Sequence, residues 1–225
     1  MRKLRRTTGA AVVAALTLTA PAFGADEPQR YTLDGQPAAA ATALDPANIC
    51  VAAAAADGTQ ACFSSRSELG QAGSAALDEG KLPPGYTVLP SGVSQEQLAQ
   101  SFDRLADDDG ETTPAVDAPI VARDGTSCGN PYTWIYTAAN FGGTQGSQGA
   151  TGVNAWLNYS GTYDNQVSSF WNETSVWTAR WHDYANGQGA YYGNGTPCRY
   201  VENLGNASMT DGGTANDRFS SFGDW

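Results

Sequence analysis

Two six-residue strings recur near the end of the chain: Asp164-Asn165-Gln166-Val167-Ser168-Ser169 and Asn216-Asp217-Arg218-Phe219-Ser220-Ser221. Each reads acid or amide twice, then two spacers, then Ser-Ser. Their offset, 216 − 164 = 52 residues, is too long for a hairpin and suits a duplicated supersecondary unit. Two copies of such a unit are expected to share one hydrophobic interior.

Composition splits the chain near residue 125. All six tryptophans (Trp134, Trp156, Trp171, Trp177, Trp181, Trp225) follow that point, and aromatic side chains supply the large burial a small β domain needs. The runs Thr133–Thr137, Val153–Tyr159, Val167–Trp171, Val176–Trp181, Arg199–Glu202 and Arg218–Phe222 carry aromatic or β-branched residues. Gly and Asn separate them, as tight turns require. Many short strands without a helical period predict an all-β sandwich or barrel over 126–225.

Upstream, 25–125 reads as an Ala-rich, acidic segment, a spacer or a propeptide, small and partly helical or disordered. Ser94-Gln95-Glu96-Gln97 is a capping box. Leu98, Phe102 and Leu105 then share one helical face, which predicts a helix from about Gln95 to Leu105. Ser67–Leu77 reads as a second short helix, and Asp57-Gly58 as a turn. The stretch from Ala106 to Thr113 reads as a linker.

The start of the chain predicts export. Arg2, Lys3, Arg5 and Arg6 precede an apolar run from Ala10 to Ala20, with small residues at Ala22 and Gly24. This is the pattern of a secretory signal peptide over 1–24. The apolar run is shorter than the ~20 residues that span a bilayer, so no membrane anchor is expected. Loss of those four basic residues moves the formal charge from −11 to about −15. That balance argues against a nucleic-acid partner, whose phosphates need Lys and Arg. Four cysteines in a secreted, extracellular chain predict two disulfides. Of three pairings, Cys50–Cys62 with Cys128–Cys198 keeps each bridge within its own half. The four Asn-x-Ser/Thr sequons, at Asn158, Asn172, Asn194 and Asn206, read as turn chemistry.

No enzyme is expected. His182 is the sole histidine, no Gly-x-Ser-x-Gly elbow is present, and all four cysteines read as paired. Glu173, Asp183 and Glu202 are available as carboxylates, but their spacing singles out no acid–base pair.

The segment Tyr136-Thr137-Ala138-Ala139-Asn140-Phe141-Gly142-Gly143 follows the order aromatic, four spacers, aromatic, spacer, Gly. With the Ser-Ser string downstream it resembles a βγ-crystallin Greek-key motif. The unit from Trp177 to Trp225 looks like its partner, although its opening, Trp181 to Gly189, lacks the inner aromatic and is offset by one. The resemblance covers roughly residues 132–225. It implies two four-strand Greek keys packed as one βγ-crystallin-like sandwich. It also implies a calcium clamp in each string, with oxygens from the side chains of Asn165 and Asp217, the backbone of Gln166 and Arg218, and the hydroxyls of Ser168 and Ser220. In the family, the serine of one motif completes the loop of the other. Calcium takes six to eight oxygens. The same residues also make Asx-turns and caps without metal, and Arg218 brings a cation beside the second clamp.

The exported chain with paired cysteines further resembles the secreted actinobacterial metalloproteinase inhibitors (SMPI-type). That implies a peptidase inhibitor with an extracellular protease as partner. Pro197, Cys198, Arg199 and Tyr200 are the candidate inhibitory loop, stiffened by proline and tethered by a disulfide. A cell-wall carbohydrate-binding module is the alternative, with Tyr191-Tyr192, Tyr163 or Trp177 as a stacking platform. A killer-toxin-like antimicrobial is a third reading.

Overall fold

The computed structural model describes residues 29–55, 57–107, 129–152, 155–175 and 178–224. The expected signal peptide, Cys128, Trp177, Trp225 and most of the acidic linker lie outside the described residues. The chain is mostly β-sheet with few helices. In order it forms β1 (Arg30–Leu33), β2 (Gln36–Ala38), α1 (Ala40–Ala43), β3 (Ile49–Val51), β4 (Thr59–Phe63), α2 (Arg66–Asp78) and α3 (Gln95–Ala106). It continues with β5 (Thr133–Ala138), β6 (Gly142–Gln148), β7 (Leu157–Asn158), β8 (Ser169–Asn172), β9 (Ala179–Tyr184), β10 (Gln188–Gly195), β11 (Arg199–Val201) and β12 (Ser221–Asp224).

The last eight strands divide between two sheets in a reciprocal way. One sheet runs β11-β8-β5-β6 and the other β10-β9-β12-β7. Counting β5–β8 and β9–β12 as two four-strand units, each unit lends its third strand to the other's sheet. Neither unit is therefore complete alone. Their facing sides make one core around Ile135, Phe170, Trp181, Phe219 and Phe222, all fully buried.

Residues 29–107, the described part of the segment expected to be small and partly helical or disordered, carry helices and also add strands to the first sheet. β3 pairs in parallel with β6, the edge of the first sheet, with Ile49 opposite Gln145. β4, β1 and β2 extend the series, giving eight strands in the order β11-β8-β5-β6-β3-β4-β1-β2. An unpaired edge at β6 would present a row of free donors and acceptors, and β3 covers it. The expected Cys50–Cys62 disulfide joins β3 to β4 at directly opposed positions.

The two upstream helices cover the outer face of this large sheet. In β5 the alternation sends Ile135 into the sandwich, while Trp134 and Tyr136 point the other way. These two aromatics, with Tyr132 and Trp171, meet Leu69 and Leu77 of α2 and Leu98, Phe102 and Leu105 of α3. Burial of an aromatic of this size stabilises by about 4–6 kcal/mol at 25 cal/mol per Å², an upper bound. The helices start where the side chains dictate. Ser65 Oγ accepts from the Glu68 amide, and Ser94 and Gln97 complete a reciprocal capping box. The helices approach closely because Gly70 has no Cβ: one built there would lie 2.4 Å from the Ala106 amide nitrogen.

A buried polar cluster ties helix layer to sheet. Arg66, at the start of α2, lies 3.9 Å from Glu173, and both are buried. Trp134 Nε1 donates to Glu173 Oε2 at 2.5 Å, and Asn130 donates to the same oxygen at 2.6 Å. The Arg66 guanidinium lies over the Trp134 ring, 4.4 Å from its centroid. Burial pushes the neighbouring Tyr136 phenol up to about 12.

Candidate functional site

The two Ser-Ser strings come together across the sandwich. Ser168 Oγ donates to Asp217 Oδ1 at 3.0 Å, and Ser220 Oγ donates to Asn165 Oδ1 at 3.1 Å. The backbone repeats the exchange: the Asn165 amide donates to the Phe219 carbonyl, and the Asp217 amide to the Val167 carbonyl. Asn165 and Asp217 have φ of 54° and 55°. Asn and Asp tolerate that left-handed conformation better than most residues. Each loop is thus held in one geometry by the serine of the other unit.

The second serine of each string does a different job. Ser169 Oγ donates to the Ala138 carbonyl and accepts from the Phe141 amide. Ser221 Oγ donates to the Tyr184 carbonyl and accepts from the Gly187 amide. These equivalent bonds fix the true frame of the second unit. Ser169 stands opposite Tyr136, and Ser221 opposite His182. His182, not Trp181, therefore matches Tyr136, and Gly187 matches Phe141, so the apparent one-residue offset disappears.

The missing inner aromatic is supplied from elsewhere in the chain. Trp156 lies where a side chain on Gly187 would go, its ring 2.1 Å from a Cβ built there. It meets His182 edge-on at 4.6 Å, as Phe141 meets Tyr136 at 5.4 Å. Pattern matching within the second unit could not find Trp156, which precedes that unit in sequence.

The six candidate clamp residues form two oxygen sets. One has Asn165 Oδ1, the Gln166 carbonyl and Ser220 Oγ; the other has Asp217 Oδ1, the Arg218 carbonyl and Ser168 Oγ. Among the described residues, neither the Gln166 nor the Arg218 carbonyl accepts a hydrogen bond. The Arg218 side chain is not directed at its clamp. Its guanidinium binds Asp183 at 2.6 Å and Asp211 at 2.7 Å, and this pairing holds the Asp211 carboxyl down to about 2. No group of three or more His, Cys, Asp or Glu with metal-holding geometry occurs among the described residues. The sets thus consist of amide, hydroxyl and carbonyl oxygens with one carboxylate, chemistry that fits a hard cation and not zinc.

The other candidates lie apart. The Pro197–Cys198 turn follows β10, and Cys198 has φ of 58° and is disulfide-bonded. Its amide donates to the Thr174 carbonyl, and Asn172 Nδ2 donates to the Gly195 carbonyl. Arg199 and Tyr200 belong to β11, paired with β8; Arg199 is exposed next to the turn and Tyr200 is half-buried. Tyr163 is fully buried and Tyr192 nearly so, which removes both from any sugar-stacking surface. Glu173 sits beneath the helices, Asp183 is bound to Arg218, and Glu202 is exposed. His182 is buried, and among the described residues neither ring nitrogen makes a hydrogen bond of good geometry. Burial, then Arg180, lowers its pKa from 6.5, with the Gln188 backbone and Asp183 opposing.

No family model matches this chain, and no curated protein matches it. Among solved structures it is similar to a βγ-crystallin from an archaeon. That match is 19% identical, covers 42% of this chain and 96% of the other, and has a TM-score of 0.31.

Proposed function

We propose that this chain is a secreted binding protein built on a βγ-crystallin-type pair of Greek keys and stabilised by calcium. The observation that carries the reading is the crossed pairing of Ser168 with Asp217 and Ser220 with Asn165. Each pair brings two side-chain oxygens together, the Gln166 and Arg218 carbonyls accept no hydrogen bond among the described residues, and Asn165 and Asp217 hold left-handed φ, all of which support the reading. Calcium would replace hydroxyl-to-amide and hydroxyl-to-carboxylate bonds with ligation, cross-linking the two units. Three protein oxygens per site leave the remaining positions to water, which places affinity on the order of 10⁻⁵ to 10⁻³ M. The Asp217 site, carrying the carboxylate, is the tighter of the two.

The test is a thermal melt in chelator and in 5 mM calcium. At a Kd of about 10⁻⁴ M, one site stabilises by about 2 kcal/mol, a rise in Tm of several degrees. Asp217→Ala and Ser168→Ala each remove most of that rise. An unchanged Tm in the native chain ends the proposal.

The turn at 196–198 favours one partner class. It is braced by a disulfide, by the Thr174 carbonyl and by Asn172, and a stiff loop loses little entropy on docking. On this reading the protein inhibits an extracellular metallopeptidase. Stoichiometric titration against a thermolysin-type enzyme checks it: inhibition lost on Pro197→Gly and Arg199→Ala supports the loop, and full peptidase activity at excess protein rejects it.

A further inference from the structure

A cleft of about 450 Å³ opens where the upstream layer meets the sandwich. Ala52 and the strand β7 region are joined at one end, where the Ser160 amide donates to the Ala52 carbonyl at 3.3 Å. Beyond that junction the segments 53–55 and 156–158 both line the cleft, as two of its walls. Val51, Ala61, Tyr86, Trp156 and Leu157 give it a largely apolar lining, and no Asp, Glu, Lys, Arg or His is among the lining residues.

Both segments carry backbone groups with no partner among the described residues. β7 is the edge of the small sheet, with Leu157 opposite Phe222 and Asn158 opposite Ser221. The Tyr159 amide donates to the Ser220 carbonyl. Bonded positions alternate in an antiparallel pair, so the Asn158 amide and carbonyl point away from β12, toward the free edge. On the other wall the amides of Ala53 and Ala54 donate to no group among the described residues.

The polar side chains on the lining are by contrast engaged. Thr59 donates to Asp57, Thr87 to the Thr151 carbonyl, Tyr86 to the Pro131 carbonyl and Asn158 to Asn186. A sugar, which needs many side-chain partners, is poorly served by such a lining. A third observation marks the same place. Of four large apolar side chains exposed among the described residues, Leu82, Val88 and Leu89 belong to the loop whose residues Pro84 to Thr87 line the cleft. Exposed apolar groups gathered at one rim signal an interaction surface.

We propose that this cleft takes an extended, uncharged, apolar peptide segment of a partner protein, bonded through its backbone to Asn158 on one wall and to Ala53 and Ala54 on the other. This is strand addition at a sheet edge, where main-chain bonds give affinity and side-chain pockets give selectivity. Charge sets the chemistry of the occupant. A chain of formal charge −11 repels acidic partners at long range, while the uncharged lining offers no counter-ion to any charge buried there. The segment is therefore neutral where it contacts the cleft. The proposal is independent of the calcium clamps.

The probe is a labelled, end-capped seven-residue peptide of alternating Thr and Val, followed by fluorescence anisotropy with the full disulfide-bonded chain. The same peptide with N-methylated backbone amides is the control. Saturable binding is expected, weakened at least tenfold by Ala54→Phe, which fills the cleft, and by N-methylation. The pair Val88→Asp and Leu89→Asp, on the partly exposed loop beside the cleft, weakens it similarly, with circular dichroism and an unchanged Tm checking that the fold is kept. Three outcomes overturn the proposal: no binding at 1 mM peptide, binding that survives N-methylation and both variants, or displacement of the peptide by a neutral oligosaccharide.

Discussion

His182 lies buried between Trp156 and Tyr191, with only the Gln188 backbone and Asp183 favouring its charged form. Its folded pKa is below the unfolded value of about 6.5, so folding prefers the neutral ring. The associated stability is complete above pH 6.5 and drains away as pH falls toward the lower folded value, because the unfolded chain then binds the extra proton. His182→Phe is expected to flatten the decline in Tm between pH 7 and 5.5; parallel declines in both proteins would rule this out. Glu173 poses the opposite problem, a charge kept in the interior by Arg66, Trp134 and Asn130. Glu173→Ala strands the guanidinium and is expected to cost about 3–5 kcal/mol in urea unfolding. Replacing both partners by Met should recover most of that loss, since an apolar pair removes the orphaned charge.

At the level of elements, the two downstream units are equivalent in bonding but not in sequence. Phe141, with φ of 59°, fills its own hairpin, whereas Gly187, with φ of 69°, leaves room for Trp156. Trp156→Ala empties that place, and Gly187→Phe alone collides with the indole. Together they restore the arrangement of the first unit, so the double variant is expected to recover 0.5–3 kcal/mol relative to the sum of the singles. Additive effects in denaturant melts would refute the equivalence. The same hairpins show what the sequence could and could not reveal. The Ser-Ser strings, the capping box at Ser94 and the face of Leu98, Phe102 and Leu105 are local patterns, and the structure contains each as an element. β6 and β10 escaped because Gly-Gly-Thr-Gln-Gly-Ser-Gln and Gln-Gly-Ala-Tyr-Tyr-Gly-Asn-Gly show no clean alternation; pairing holds them, β6 between β5 and β3 and β10 at the sheet edge against β9. β3 and β4 escaped for a related reason. Ile49-Cys50-Val51 is buried on both faces, so its three residues show no period. The crossed serine pairs were implied by the family likeness alone, since no local rule joins residues 49 to 55 positions apart.

For the whole molecule, the upstream layer changes what counts as a folding unit. Without residues 1–107, Trp134, Tyr136 and Trp171 would lose their apolar cover and β6 its neighbour. That truncated chain is expected to aggregate or to bind a hydrophobic dye strongly, as size-exclusion chromatography and dye fluorescence would show; a soluble, dye-silent monomer would contradict it. The layer has its own brace: the Cys50–Cys62 bridge closes a loop of 12 residues, and its removal is expected to cost about 3 kcal/mol. The parallel junction between β3 and β6 has a further consequence for biosynthesis. Ile49 meets Gln145, and 145 − 49 = 96 residues separate them. At synthesis rates of roughly 5–20 residues per second, β3 waits about 5–20 s for its mate, against microseconds for a local hairpin. During that interval the nascent chain exposes a sticky strand margin, so yield in a producing cell depends on whatever shields it until translation catches up.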